Sequence, residues 1–289
     1  MAERLLHSGL NCRSRTRLIA WKDARCPESS DSISGEAVIA DAAGKNEQTA
    51  GAILSLIYAE GQRPGLEALA GLAGRSLKSV PFVLSHIPDA GEDWVELLAA
   101  GLTFDCHGLV PGDPAQHPGT GALLGLHDVP GGEAISLRPA PHLVEGSGLL
   151  PVVRILAGLG AELGHLPGLI AAHWQPAQCW MAPKYFRGVV EEWIGGGAFP
   201  ALGLTSLQRN DDGSMISAGL GFLIGQELRF EPDRRLAPAA IARIAVRLIH
   251  SLIETGPLTS AMSYLGPEGE PLRVEPINHG RQLRVSFPR

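Results

Sequence analysis

Four stretches of the chain repeat apolar residues at the spacing of a helical turn. Ala50, Ile53, Leu54, Ile57 and Tyr58 fall at i, i+3, i+4, i+7 and i+8, the stripe of an amphipathic helix. Leu149, Leu150, Val152, Val153, Ile155, Leu156, Leu159 and Leu163 are apolar almost all round, as expected of a helix buried on most sides. Pro183 opens a third stripe of Tyr185, Phe186, Val189, Val190, Trp193 and Ile194, which Gly195, Gly196 and Gly197 stop. Proline at the start and glycine past the end suit the unpaired backbone groups of the two termini. The fourth begins near Pro238 and keeps Ile241, Ile244, Ala245, Leu248, Ile249, Leu252 and Ile253 on one face, with Arg243 and Arg247 toward water. Trp94, Leu97 and Leu98 predict one more short helix.

Between these stripes lie short strand-like runs at 17–21, 37–40, 80–87, 102–110, 134–138 and 170–174. Further along, 202–208 and a period-2 run of Ile216, Ala218, Leu220, Phe222 and Ile224 flank the turn residues Asn210, Asp211, Asp212 and Gly213, which predicts a hairpin. Gly225 is expected to kink or bulge that strand before Leu228 and Phe230 resume it. A last hairpin pairs 272–277 with 282–287 across Asn278, His279 and Gly280. Hairpins interspersed with single helices define an α+β fold, with mixed, largely antiparallel sheets packed by single helices. Both halves read as strand–helix–strand–strand, so two similar halves are one reading of that order.

The 289 residues suit one large domain or two small ones. Residues 1–34, with weak periodicity and a polar end, are expected to be poorly ordered. The loop at 111–121, rich in proline and glycine, is the best candidate for a boundary. It divides an α+β half at 35–140 from another at 141–289, although one continuous domain fits as well. A hydrophobic fraction of 45% and a charged fraction of 19% describe an ordinary folded chain. The formal charge of −6 argues against a nucleic-acid groove, which is built from clustered Lys and Arg. The longest stretch without Asp, Glu, Lys or Arg, 163–183, is broken by prolines and reads as no membrane span. Cys12, Cys26, Cys106 and Cys179 lack C-x-x-C spacing, and the N-terminus carries arginines throughout with no apolar core of signal length. A reduced, cytoplasmic location is the expectation.

Signatures of zinc proteases, nucleophile elbows, phosphate loops and calcium loops are missing. Gly119-Thr120-Gly121 through Gly125 follows a proline-rich loop and not a strand, so it cannot present a helix terminus to a pyrophosphate. His107, His117, His127, His165 and His173 are scattered without metal-ligand spacing. No cofactor and no metal are expected. The most unusual stretch is His173 to Pro183, where His173, Trp174, Cys179 and Trp180 cluster between a strand and a helix, a place where ligand sites occur. The tryptophans can equally seal the core there. Glu227 interrupts an apolar run, which makes it either a solvated strand residue or a buried carboxyl fit for acid–base work.

The residues His173-Trp174-Gln175-Pro176-Ala177, Met181-Ala182-Pro183 with Phe186, Phe199 to Leu204, Ser217 to Phe222 and Gly225-Gln226-Glu227-Leu228 resemble a bacterial family known only as a domain of unknown function. The resemblance runs from about Pro141 to Phe230. It implies an α+β fold and assigns no catalytic residue. The leading expectation is therefore a non-catalytic protein that binds another protein or a small molecule, without nucleic acid or membrane. The alternative is a hydrolase or transferase whose site gathers His173, Glu227 and His142, with Trp174 and Trp180 nearby.

Overall fold

The computed structural model describes residues 52–74, 80–89, 93–233 and 235–288. In chain order the elements are β1 (Leu54–Tyr58), α1 (Leu66–Leu72), β2 (Val83–His86), β3 (Trp94–Ala99), β4 (Leu102–His107), β5 (Ala122–Leu124) and β6 (Glu133–Pro139). There follow α2 (Leu150–Leu163), β7 (Leu169–Trp174), β8 (Cys179–Met181), α3 (Pro183–Ile194), the turn α4 (Ala201–Leu204), β9 (Ser206–Arg209) and β10 (Met215–Ala218). Last come α5 (Leu220–Ile224), β11 (Glu227–Phe230), α6 (Pro238–Thr255), β12 (Met262–Leu265), β13 (Pro271–Ile277) and β14 (Gln282–Ser286). The chain is α+β. The strand-like runs at 17–21 and 37–40, residues 1–34 and Ala50 lie outside the described residues. Among the described residues no helix is long and apolar enough to cross a membrane.

Eight strands form the first sheet in the order β2-β3-β4-β6-β1-β7-β8-β5, and six form the second in the order β12-β13-β14-β11-β10-β9. Among the described strands only β5–β8 and β11–β14 pair in parallel. The first sheet draws strands from both sides of residue 140. Helices α2 and α3 pack on one of its faces, against β1, β6 and β7. That face carries Leu54, Leu56, Tyr58, Cys106, Leu137 and Trp174, and its core is continuous with that of the second sheet and α6. Close approach of α2 depends on glycine: a Cβ at Gly160 would stand 2.2 Å from the Leu54 side chain and 3.2 Å from Phe186. Arg154 of α2 caps α3, donating to the carbonyls of Trp193 and Ile194 at 2.8 and 2.9 Å with its guanidinium 5.6 Å from the Trp193 ring centre.

Three expectations fail, each for a physical reason. The stripe through Ile53, Leu54, Ile57 and Tyr58 is the strand β1 and not a helix. It is fully buried because β6 and β7 flank it and both faces are covered, and an apolar run buried on both faces carries no period of its own. The short helix at Trp94, Leu97 and Leu98 is the strand β3, with Val95, Leu97 and Ala99 turned into the core. Its partner β4 follows through the two-residue turn Ala100-Gly101, both with positive φ (50° and 79°), the geometry that suits a tight hairpin. The run from Ile216 to Ile224 is strand only to Ala218. Gly219 takes φ 90° and starts α5, and Gly225 at φ 77° ends that helix where a strand kink was expected. A side chain at Gly219 would meet the Leu204 carbonyl at 2.8 Å, so the turn is available to glycine alone.

Candidate functional site

His173 and Trp180 come together; the other expected site residues go elsewhere. The segment 173–183 is a tight hairpin between β7 and β8, with His173 and Trp180 as register partners on the face away from the helices. Their ring centres are 4.8 Å apart. Trp174, the next residue along β7, points to the opposite face. It is fully buried in the main core, edge-on to Phe222 of α5 with ring centres 6.2 Å apart.

Glu227 belongs to the second sheet and has a structural role. One carboxylate oxygen accepts from the Ser217 hydroxyl, and the other accepts from the Gly221 backbone N–H at 2.6 Å, at the start of α5. The same serine oxygen accepts from the Leu228 N–H at 2.7 Å. Burial raises the Glu227 carboxyl above the ordinary range, and the bonds from Ser217 and from the backbone at Gly219 to Gly221 oppose that shift. Removing this carboxylate, as in Glu227→Ala, is expected to cost about 2 kcal/mol in urea unfolding, because it strands the donors at the turn. Glu227→Gln, which keeps an acceptor, is expected to cost less. A catalytic carboxyl would instead leave stability unchanged in both.

His142 lies in the helical turn after β6, with Nε2 3.3 Å from the Thr103 hydroxyl. Thr103 is four residues along β4 from His107, and β4 is three strands from β7. His142, His173 and Glu227 do not converge.

A different set of residues does. Register pairs Trp94 with His107, His107 with Ser136, Ser136 with Ser55, Ser55 with His173, and His173 with Trp180. Directly opposed residues share a face, so one unbroken row crosses the sheet from β3 to β8. Each end of the row is a tryptophan between two imidazoles. Trp94 stands 5.5 Å from His86 and 5.9 Å from His107, and Trp180 stands 5.3 Å from His117 and 4.8 Å from His173. Between the ends the row falls to the two small serines. Three strand spacings separate His107 from His173, or about 14 Å.

The segment 111–132 closes the row at its His173 end. The Ala115 N–H donates to the Ala134 carbonyl at 2.9 Å, and the Trp180 indole donates to the Gly119 carbonyl at 3.0 Å. Both ring nitrogens of His117 lie 2.9 Å from carbonyl oxygens, those of Pro118 and Pro130. Ile57, Ala134, Ala171 and Trp180 form a small apolar cluster under this cover. Arg63 anchors the loop base, donating to the carbonyls of Gly108 and Gly112 at 2.8 and 2.7 Å.

His173 is 1% exposed, yet among the described residues neither of its ring nitrogens has a hydrogen-bond partner, and His107 Nε2 is also buried without one. Burial, and then the neighbouring His117, push the His173 imidazole down to about 4. Burial foremost, with Arg138 beside it, lowers His107 against the pull of Asp105 and Asp93. Both rings are therefore neutral near pH 7. The His173 nitrogens make no hydrogen bond to Ser55 or to any other described residue, so the adjacent imidazole does not engage Ser55 as a nucleophile. Among the described residues no three His, Cys, Asp or Glu side chains gather as metal ligands. Cys106 and Cys179 are buried, with thiols pushed up to about 12, too high for thiolate chemistry.

Comparison with protein-family models, curated proteins and solved structures returns no match.

Proposed function

We propose that this is a non-catalytic binding protein that takes its ligand on the helix-free face of the first sheet, along the row from His107 to His173. The observation that carries this reading is the buried His173 imidazole, whose two nitrogens have no hydrogen-bond partner among the described residues. An unsatisfied buried polar group costs roughly 1–3 kcal/mol, and each such group in a native fold calls for an explanation, of which a bound partner is one. The competing hydrolase or transferase reading needs His173, Glu227 and His142 in one cleft; His173 lies on the helix-free face of β7, whereas Glu227 is bonded to Ser217 and Gly221 and His142 lies beside Thr103.

Native mass spectrometry of the protein purified from its own cells tests the proposal. A reproducible non-covalent mass on the wild type that is missing from His173→Phe is the expected result. Bare chain in both, or turnover that survives in His173→Phe, would overturn it.

A further inference from the structure

The segment that covers His173 is held by a histidine whose charge decides how many ties it can make. Strand β5, paired in parallel with β8, splits the segment into two arcs, 113–121 before it and 125–132 after it. Leu126 and Val129 of the second arc pack on the apolar cluster of Ile57, Ala134, Ala171 and Trp180. His117 joins the arcs. Its Nδ1 stands 2.9 Å from the carbonyl oxygen of Pro118, and its Nε2 stands 2.9 Å from that of Pro130, 13 residues along the chain.

A carbonyl oxygen only accepts hydrogen bonds. A neutral imidazole has one N–H and one bare nitrogen, so it donates to one of these oxygens and turns a lone pair toward the other. The imidazolium has two N–H groups and satisfies both. Its charge also lies 5.3 Å from the ring centre of Trp180, close enough for an aromatic face to stabilise a cation. His117 is exposed, so solvent can take or return its proton. Trp180, on β8, carries no charge. The titratable group brought against His117 from β7 is His173, whose imidazole His117 helps to push down. Of the two rings that flank Trp180, the one with carbonyl acceptors is thus built for the proton and the other is not. At the start of β6, Glu133 is committed elsewhere, accepting from the Gly61 N–H at 3.0 Å with Arg63 at 3.9 Å. Asp113, His127 and Asp128 of the segment itself are exposed.

We propose that His117 is a proton-operated latch: the imidazolium ties the two arcs over His173, and loss of its second proton releases one tie and loosens the cover. This goes beyond the binding reading and holds with or without a ligand. Hydrogen exchange of the full chain, read by mass spectrometry at about pH 5.5 and about pH 8.5, tests it on either side of the ordinary imidazole value of about 6.5. With rates corrected for the intrinsic pH dependence of exchange, protection of amides in 115–121 and 126–132 is expected to fall roughly fivefold at the higher pH, the loss of about one hydrogen bond. Protection in α6 should not follow it. His117→Gln, neutral throughout, is expected to show the same protection at both values. Proton–nitrogen NMR of the wild-type histidine rings at the lower pH should show both His117 N–H groups. Protection that ignores pH in the wild type, a pH response that survives in His117→Gln, or a single His117 N–H at the lower pH would each overturn the latch. A bare chain in native mass spectrometry would overturn the binding reading and leave the latch standing.

Discussion

Acidification from pH 7 to pH 4 is expected to remove about 3 kcal/mol of stability through His173 alone. The folded chain holds this imidazole down at about 4, against an ordinary value of 6.5. Between those two values the unfolded chain binds a proton that the folded chain refuses. Stability contributed by the neutral ring is therefore complete above pH 6.5 and is lost as pH falls toward 4. The gap of 2.5 between 6.5 and 4 corresponds to roughly 3 kcal/mol at 1.36 kcal/mol for each unit. Other groups titrate in the same window, so the decisive quantity is a difference. Urea unfolding of wild type and His173→Phe at pH 7 and pH 4 should show the variant's advantage widening by about 3 kcal/mol on acidification. At pH 7 the variant should already be as stable as wild type or more so by about 1 kcal/mol, since it removes two unsatisfied nitrogens. An advantage that stays constant with pH would mean that the imidazole is solvated or partnered in the folded state. A site residue that lowers stability while serving a ligand is the familiar trade between function and fold.

Trp174→Ala is expected to be the most destabilising single change among those considered, at about 4 kcal/mol. The side chain is fully buried, faces the main core and meets Phe222 edge-on. Truncation would open a large cavity between β7 and α5. Its indole N–H has no partner among the described residues, which offsets a little of that cost. Where the variant still folds, ligand affinity should match wild type, because Trp174 points away from the row that holds His173. A loss below 1 kcal/mol combined with a large loss of affinity would place Trp174 in the site instead.

The contrast between these neighbours shows what a linear reading can and cannot reach. Helices α3 and α6 announce themselves through one-sided apolar stripes and α2 through an apolar run of helical length, each with a proline in the first turn and a glycine beyond the end. The β13–β14 hairpin is equally plain from its turn. β1 is hidden because a strand covered on both faces has no polar phase to betray its period, and three residues of β3 fall by chance at helical spacing. α5 depends on a carboxylate six residues further along, Glu227, which no window of hydropathy contains. For the site, the unusual cluster at 173–180 is visible, and its division between two faces follows once β7 is known to be a strand. Ser55, Ser136 and His107 carry no local signal. They join His173 only through the pairing register of four strands, and register is a property of the whole sheet.

The position of β1 has a consequence for synthesis. This strand is the first described element to leave the ribosome, yet its place is the middle of the sheet, between β6 and β7. At ordinary translation rates its second neighbour emerges on the order of ten seconds later. Throughout that interval a largely apolar strand waits with both hydrogen-bonding edges open, a template for pairing with other nascent chains. The fold therefore asks for protection early in its life, and overexpression at high temperature should drive it into inclusion bodies more readily than its finished surface would suggest.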